Sequence, residues 1–300
     1  YENKSRLQSL SEKIVYLRTT IRSISPDCVI SLAMSQMAIL LSCAMVGLKT
    51  PLILSERNDP VRFPSSKLVR LLRRICYRRC SGVVFQTKEA KSFFSAAIQK
   101  NSVVICNPVT SNLPDRFDGI REKRIVNFCR LHEQKNLDLL IDAFSEILKT
   151  FPEYVLYIYG EGPERERLIK KIADMNLTDQ VLLPGYSDNI YNEIVNAAAF
   201  VSSSDYEGIS NSMLEAIAIG VPTVCTDCPA GGAREVIQDG VNGLLVPTRD
   251  VKAMAKAIEK ILADVDFAQS LSCEGYRLRE KISAETIAVQ WCRFIENQMI

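Results

Sequence analysis

The 300-residue chain is 47% hydrophobic and 24% charged, a balance that excludes an intrinsically disordered protein and is enough for two ordinary globular domains. Its net charge of +2 conceals a division, since residues 1–116 carry 18 Lys and Arg against 7 Asp and Glu and the remainder 19 against 28. The basic half suits a membrane surface or a polyanionic substrate, whereas nucleic acid is set aside because neither interleaved aromatics nor a known reading motif accompanies the charge.

The ten cysteines are scattered, mostly within apolar runs, and read as reduced core residues of a cytosolic protein rather than as a disulfide framework. Cys225 and Cys228 form one C-x-x-C, but the single histidine, His132, offers no zinc site around it, and no metal is expected.

In chain order, "KSRLQSLSEKIVYLRTTIRSI" (4–24) reads as a helix. "CVISLAMSQMAILLSCAMVGL" (28–48) is uncharged over a length that could span a bilayer. Its Ser31, Ser35, Gln36 and Ser42 favour a buried strand (28–33) followed by a buried helix ending at Gly47, before Pro51. "PLILSER" (51–57) is the next strand. "SKLVRLLRRICYRRC" (66–80) repeats Leu68, Leu71, Leu72, Ile75 and Cys76 at helical spacing among six Lys and Arg. Such a basic amphipathic helix is either an ordinary surface helix or a patch that rests on anionic lipid. "GVVFQT" (82–87) and "SVVICNPV" (102–109) are strands, and the polar "TSNLPDRFDGIREKR" (110–124) is a linker.

The second half supplies "IVNFCR" (125–130), "YVLYIYG" (154–160), "QVLLPGY" (180–186), "AFVSSS" (199–204), "VPTVCTD" (221–227) and "GLLVPT" (243–248), with helical segments between them. This alternation is that of βα units around parallel sheets. It predicts a Rossmann-like domain over 1–116 that lacks its opening strands, a complete one over 117–282, and a last helix (283–300), capped by Ser283 and carrying Trp291, that packs back toward the first. No signal peptide is expected, and because the chain opens on Tyr1 rather than Met, residues before it are expected to be missing.

The chemistry concentrates in "SSDYEGISNSMLEA" (203–216), which follows a strand. The turn 205–208 leads into a helix closed by Gly220 and Pro222, with Ser210, Asn211 and Ser212 in its first turn. Unpaired amides and the positive dipole end there suit an anion. Glu207 and Glu215 would stand roughly 12 Å apart along helical rise, beyond the ~5–9.5 Å of the acid/base carboxylates of a glycoside hydrolase. That spacing fits a ligand with phosphate in the middle and hydroxyls at both ends, such as a nucleotide sugar. Arg130 and Lys135, after the strand 125–130, are the candidate cations for a diphosphate. Gly160 and Gly162 in "YGEGPERERL" allow a tight βα turn.

Together, "CRLHEQKNLDLLIDAF", "YGEGPERERL", "VLLPGYSDNI", "SSDYEGISNSMLEAIAIGVPTVCTD", "GGAREVI" and "DGVNGLLVPTRD" stand in the order and spacing of the family 4 glycosyltransferases, which the chain resembles densely over 125–250 and more weakly from about residue 50. The resemblance implies a GT-B fold, two Rossmann-like doubly wound domains facing across a cleft. It implies a retaining, metal-independent transferase of the hexosyltransferase type, acting in bacterial polysaccharide biosynthesis of the lipopolysaccharide or capsule type.

Such an enzyme needs no cofactor. It moves a sugar from a nucleotide diphosphate, UDP more readily than GDP, to a hydroxyl of a lipid-linked or polysaccharide acceptor, in the cytoplasm or at the inner face of the plasma membrane. It also implies that Arg130 and Lys135 bind the diphosphate, that Glu207 meets the donor sugar, and that Gly208, Ile209, Ser210 and Asn211 cradle sugar and phosphate. Glu215 would hold the ribose and Gly185–Tyr186 the base. Many members of the family carry a histidine where this chain has Arg57, so Glu56, Arg57 and Asn58 are expected only to face donor or acceptor. His132 is given no role. Two alternatives stay open: a nucleotide-sugar 2-epimerase of the same fold, and a non-catalytic nucleotide-sugar-binding partner subunit.

Overall fold

In a computed structural model that describes residues 6–32 and 35–299, the chain divides into two compact units, Tyr1–Cys106 with Ala288–Ile300, and Asn107–Ile287. Lys4 and Ser5 of the expected first helix, and Ala33 of the expected first strand, lie outside the described residues.

The first unit opens on helix Arg6–Ile24 and builds a parallel sheet from β1 (Val29–Ser31), β2 (Leu52–Glu56), β3 (Gly82–Phe85) and β4 (Ser102–Val104), in the spatial order β1-β2-β3-β4. Every residue of β2 and β3 is buried. Strands covered on both faces lose the apolar–polar alternation and read as continuous hydrophobic runs, and for that reason "PLIL" and "GVVF" are conspicuous. The uncharged stretch 28–48 becomes β1 and helix Ser35–Ala44. Among the described residues no helix is long and apolar enough to cross a membrane. The final helix, Ala284–Met299, reaches this unit, where a methyl group added at Gly82 would come 2.7 Å from the Phe294 ring.

Between β2 and β3 lies helix Lys67–Arg79, whose Ser66 hydroxyl accepts the amide of Val69. Its buried residues are Arg73, Cys76 and Tyr77, while Leu68, Leu71, Leu72 and Ile75 are exposed. Arg73 sets this rotation. Its guanidinium donates to Glu56 Oε2 (2.8 Å) and to the carbonyls of Pro60 (2.7 Å) and Phe63 (2.8 Å), and the Tyr77 hydroxyl donates to the same carboxylate oxygen at 3.1 Å. A buried charge that lost these partners would cost several kcal/mol, so the helix keeps Arg73 inside and turns four aliphatic side chains outward.

The second unit carries six parallel strands, β5 (Glu122–Phe128), β6 (Val155–Tyr159), β7 (Val181–Gly185), β8 (Ala197–Ser202), β9 (Thr223–Thr226) and β10 (Leu244–Val246), in the order β10-β9-β8-β5-β6-β7. Its core joins the strands to the helix Leu137–Ile147 and to Val251–Ala263 through Ile125, Leu140, Phe144, Ile158, Val201 and Met254.

Two expectations are corrected here. The linker 110–124 ends earlier, because Glu122 to Arg124 already belong to β5: the Glu122 amide bonds Asn196 O and Arg124 is in register with Val155 of β6. Polar side chains on a strand's first residues hide it from a hydrophobicity reading. The segment before it is also bound to the second unit, with the Val109 amide on Ile282 O and the Arg279 guanidinium on the carbonyls of Leu113 and Pro114. The second compact unit accordingly begins at Asn107. The cysteines, read as core residues, are buried only at Cys76, Cys225 and Cys228, and Cys43 and Cys292 are exposed.

Candidate functional site

The strand order of the second sheet brings the site together. From central β5 the chain runs outward through β6 to β7, then returns to the other side of β5 with β8 and continues to β9 and β10. At such a reversal the loops leaving the two central strands diverge, and the crevice outside their carboxyl ends is where doubly wound sheets take ligands. The loops are 129–136, after β5, and 203–210, after β8.

The two are tied together by hydrogen bonds. Asp205 N donates to Gln134 O at 2.9 Å, Gln134 Nε2 to Tyr206 O at 2.8 Å, Ser203 Oγ to Lys135 O at 2.8 Å and Asn136 Nδ2 to Asp205 Oδ1 at 2.9 Å. Asn136 holds a left-handed backbone (φ 42°), a conformation that Asn tolerates better than most residues, and caps the following helix by accepting Leu139 N. His132, given no role above, caps the short turn Glu133–Lys135 through Nδ1, which accepts Gln134 N. Arg249 grips the Asp205 carboxylate from the other side, at 2.6 to 3.2 Å.

Within this frame Lys135 Nζ and Glu207 Oε1 form a direct, partly exposed ion pair, and Ser204 Oγ donates to the same carboxylate oxygen at 3.1 Å. The backbone of Glu207 is anchored in both directions, its amide on Pro229 O (2.9 Å) and its carbonyl accepting Ala230 N (3.0 Å). Close approach explains a glycine nearby: a methyl group at Gly232 would lie 1.7 Å from the Gly208 carbonyl oxygen.

Helix Asn211–Ile219 starts where the spacing predicts, with Ser210 as N-cap, its Oγ accepting Met213 N, and Gly220 closing it. Gly208, Ile209 and Ser210 are buried, and the exposed Asn211 accepts a hydrogen bond from Asn107 Nδ2 at 2.7 Å. Glu215 is half-buried on this helix. Burial pushes its carboxyl above the ordinary carboxylate range, and a hydrogen bond from Tyr191 partly opposes the shift. Tyr191 in turn is pushed up to about 12, by burial first and by the Glu215 charge second. Tyr191, on helix Ile190–Ile194, has no counterpart in the sequence reading, because nothing in its spacing links it to residue 215.

Beside these loops a cavity of about 360 Å³ is lined by Phe128, Arg130, Tyr159, Glu161, Tyr186 and Ile190, among others. Arg130 is exposed in its wall, and the Tyr186 ring, 75% exposed, stands just past the end of β7 at Gly185. The β5 and β6 loops meet closely, since a methyl group at Gly160 would lie 1.9 Å from Cys129 O. The cavity therefore gathers Arg130 and Tyr186 into one neighbourhood, while Lys135 and Glu207 meet each other directly.

The residues expected from the first unit are arranged differently. Glu56 faces inward, bound to Arg73 and Tyr77, and burial raises its carboxyl to about 7 against the pull of the Arg73 charge. Its carboxylate is thus committed to the interior. Arg57 stacks its guanidinium 5.7 Å from the centre of the Trp291 ring, with its pKa lowered by burial, and Asn58 Oδ1 accepts Asp59 N. Cys225 and Cys228 are buried thiols pushed well above their ordinary range. Among the described residues no group of three or more His, Cys, Asp or Glu is arranged to hold a metal ion.

Residues 118–278 match the family described as glycosyl transferases group 1. The poly(glycerol-phosphate) alpha-glucosyltransferase of Bacillus subtilis is 33% identical over 194 residues, 65% of this chain but 28% of that protein, so the chain spans less than a third of this relative's length. A Campylobacter jejuni protein named as an alpha-1,4-N-acetyl-D-galactosaminyltransferase acting on a diNAcBac-PP-undecaprenol-linked GalNAc disaccharide is 26% identical over 293 residues, 97% of this chain and 80% of that protein. Among solved structures, Anabaena Alr3699/HepE in complex with UDP superimposes with a TM-score of 0.84 at 18% identity, over 95% of this chain and 82% of that one. At that identity the likeness is one of fold, and the fold is the GT-B type of α/β protein.

Proposed function

The chain belongs to the group 1 glycosyl transferases, and from that membership we propose that it moves a sugar from a nucleoside diphosphate sugar to a hydroxyl of a lipid-linked or polysaccharide acceptor, with retention at the anomeric carbon and without a catalytic metal. The observation that carries the reading is the Lys135–Glu207 pair, held by the two loops that diverge at the strand reversal, next to the start of helix Asn211–Ile219.

The donor would lie along this face. The base rests against Tyr186 at Gly185, in the cavity whose wall includes Arg130, and Glu215, oriented by Tyr191, accepts the ribose hydroxyls. Amides from Gly208 to Asn211 and the charges of Arg130 and Lys135 surround the diphosphate. As the glycosidic bond to phosphate lengthens, negative charge grows on the leaving oxygens. Two cations and a helix dipole stabilise that charge more than they stabilise the ground state, which is the form of catalysis expected to dominate here. Glu207, freed from Lys135 when phosphate takes the ammonium, accepts hydroxyls of the transferred sugar. The acceptor then attacks from the face that the nucleotide leaves, which preserves configuration.

A lipid-linked or polymeric acceptor is supported by the Campylobacter and Bacillus relatives, whose names specify an undecaprenyl-diphosphate glycan and a poly(glycerol phosphate). The UDP bound by HepE supports a uridine donor. The test is to incubate the protein with UDP- and GDP-sugars and to follow nucleotide release with and without membrane extract. Release that depends on the extract is expected. An isomerised donor sugar would replace the proposal with an epimerase, and donor binding without turnover would replace it with a binding subunit.

A further inference from the structure

Helix Lys67–Arg79 places outside what surface helices place inside. Leu68 (64% exposed), Leu71 (55%), Leu72 (36%) and Ile75 (42%) recur at i, i+3, i+4 and i+7, the spacing of a core-facing stripe. Yet they stand in solvent, because the opposite side is held inward by Arg73 and its bonds to Glu56, Pro60 and Phe63. The stripe extends onto the preceding loop through Val61, also 55% exposed, whose carbonyl accepts Arg70 at 2.7 Å. Val61, Arg70, Leu71 and Arg74 share one shallow groove.

The charge around this stripe has a single sign. At ~100° per residue, Lys67, Arg74 and Arg78 fall along one flank of the leucines and Arg79 at their far end, and all four are exposed. From Pro60 to Lys88 the sequence contains eight Lys and Arg and no Asp or Glu. An apolar protein partner would leave the cationic flank uncompensated, and a nucleic acid would leave the leucines in water. The interface of an anionic bilayer satisfies both, since aliphatic side chains enter the acyl boundary while long basic side chains extend to the head groups. We infer that Lys67–Arg79, with Val61, is a docking surface for an anionic phospholipid bilayer, on which the helix lies in the plane of the interface. Thirteen residues extend ~20 Å, short of the ~30 Å hydrocarbon core, so the contact is peripheral. The inference is independent of the transfer chemistry.

Flotation of the whole chain with vesicles of phosphatidylcholine, alone or mixed with phosphatidylglycerol, tests it. Binding is expected to the anionic vesicles only, and to fall on the order of tenfold or more when Leu71→Gln and Leu72→Gln are combined. Arg78→Glu with Arg79→Glu should weaken it to a similar degree, and added salt should weaken the wild type. All of these side chains are exposed, so the variants should melt with the wild type. Equal binding to neutral vesicles, no binding to either, or undiminished binding by the leucine variant would overturn the inference. So would a dimer in sedimentation velocity that the leucine variant abolishes, because a second copy of the chain would then cover the stripe. Vesicle binding uses no donor, so loss of transfer with flotation intact would count against the transferase reading alone.

Discussion

Each unit sets a glutamate at the carboxyl end of a strand and gives it a cation, and the two pairs differ in what surrounds them. Glu56 ends β2 and meets Arg73, which is fully buried, with Tyr77 on the same carboxylate oxygen and two backbone carbonyls also accepting from the guanidinium. Glu207 stands beyond β8 and meets Lys135 where water reaches both, with a serine hydroxyl as the additional donor. The first pair cannot exchange partners without burying an uncompensated charge. In the second, a phosphate could take the lysine and sugar hydroxyls the glutamate at little electrostatic cost. An ion pair at a strand end is therefore not a site in itself; access and a strand reversal are what make the pair at Glu207 the proposed one.

The widest gap between the pairs should appear in stability. Arg73→Met leaves Glu56 buried and unpaired and should lower unfolding free energy by about 3–5 kcal/mol, measured by chemical denaturation, whereas Lys135→Ala should cost about 1 kcal/mol or less. Adding Glu56→Gln to Arg73→Met should recover much of the loss, and failure to do so would break the account of Arg73. Activity should divide the pairs the other way: Lys135→Ala and Glu207→Ala should each lower kcat on the order of 10²–10³-fold with melting midpoints near that of the wild type. Wild-type turnover in both would remove Lys135 and Glu207 from the site.

A smaller effect sharpens the second region. Tyr191→Phe removes the hydroxyl that holds Glu215 and should raise the donor KM about tenfold, with kcat nearly unchanged. Because that hydrogen bond lowers the pKa of Glu215, its loss should also move the acid-side rise in KM to higher pH, which a purely structural role for Tyr191 would not do. The smallest expected effect is a pH slope in the first region. The carboxyl of Glu56 is raised from 4.5 to about 7 in the folded chain, so the folded state binds the extra proton. Its contribution to stability is complete below 4.5 and is lost as the pH rises through about 7. Glu56→Gln should flatten the melting temperature across that window.

Much of this arrangement is legible in the residues alone. Continuous apolar runs mark the buried parallel strands, and Ser210 and Gly220 delimit the helix Asn211–Ile219. The glycine at 160, where the chain must pass close to Cys129, is also visible as a turn signal. What was not legible follows from how local patterns work. Glu122 to Arg124 belong to a strand through pairing, not hydrophobicity. Glu56 looks available in "SERND" because a sequence does not show that Arg73, seventeen residues on, turns back to it. Tyr191 reaches Glu215 only because two helices lie side by side.

Periodicity, turn chemistry and charge within short windows are enough for the βα alternation, the basic and acidic halves, and the set of residues after β5 and β8 from which a diphosphate site could be made. It takes the folded chain to lay β8 against β5, so that Lys135 and Glu207, seventy-two residues apart, become partners. The folded chain also decides which way helix Lys67–Arg79 faces. That rotation depends on satisfying one buried guanidinium, and the partners that satisfy it come from other segments of the fold.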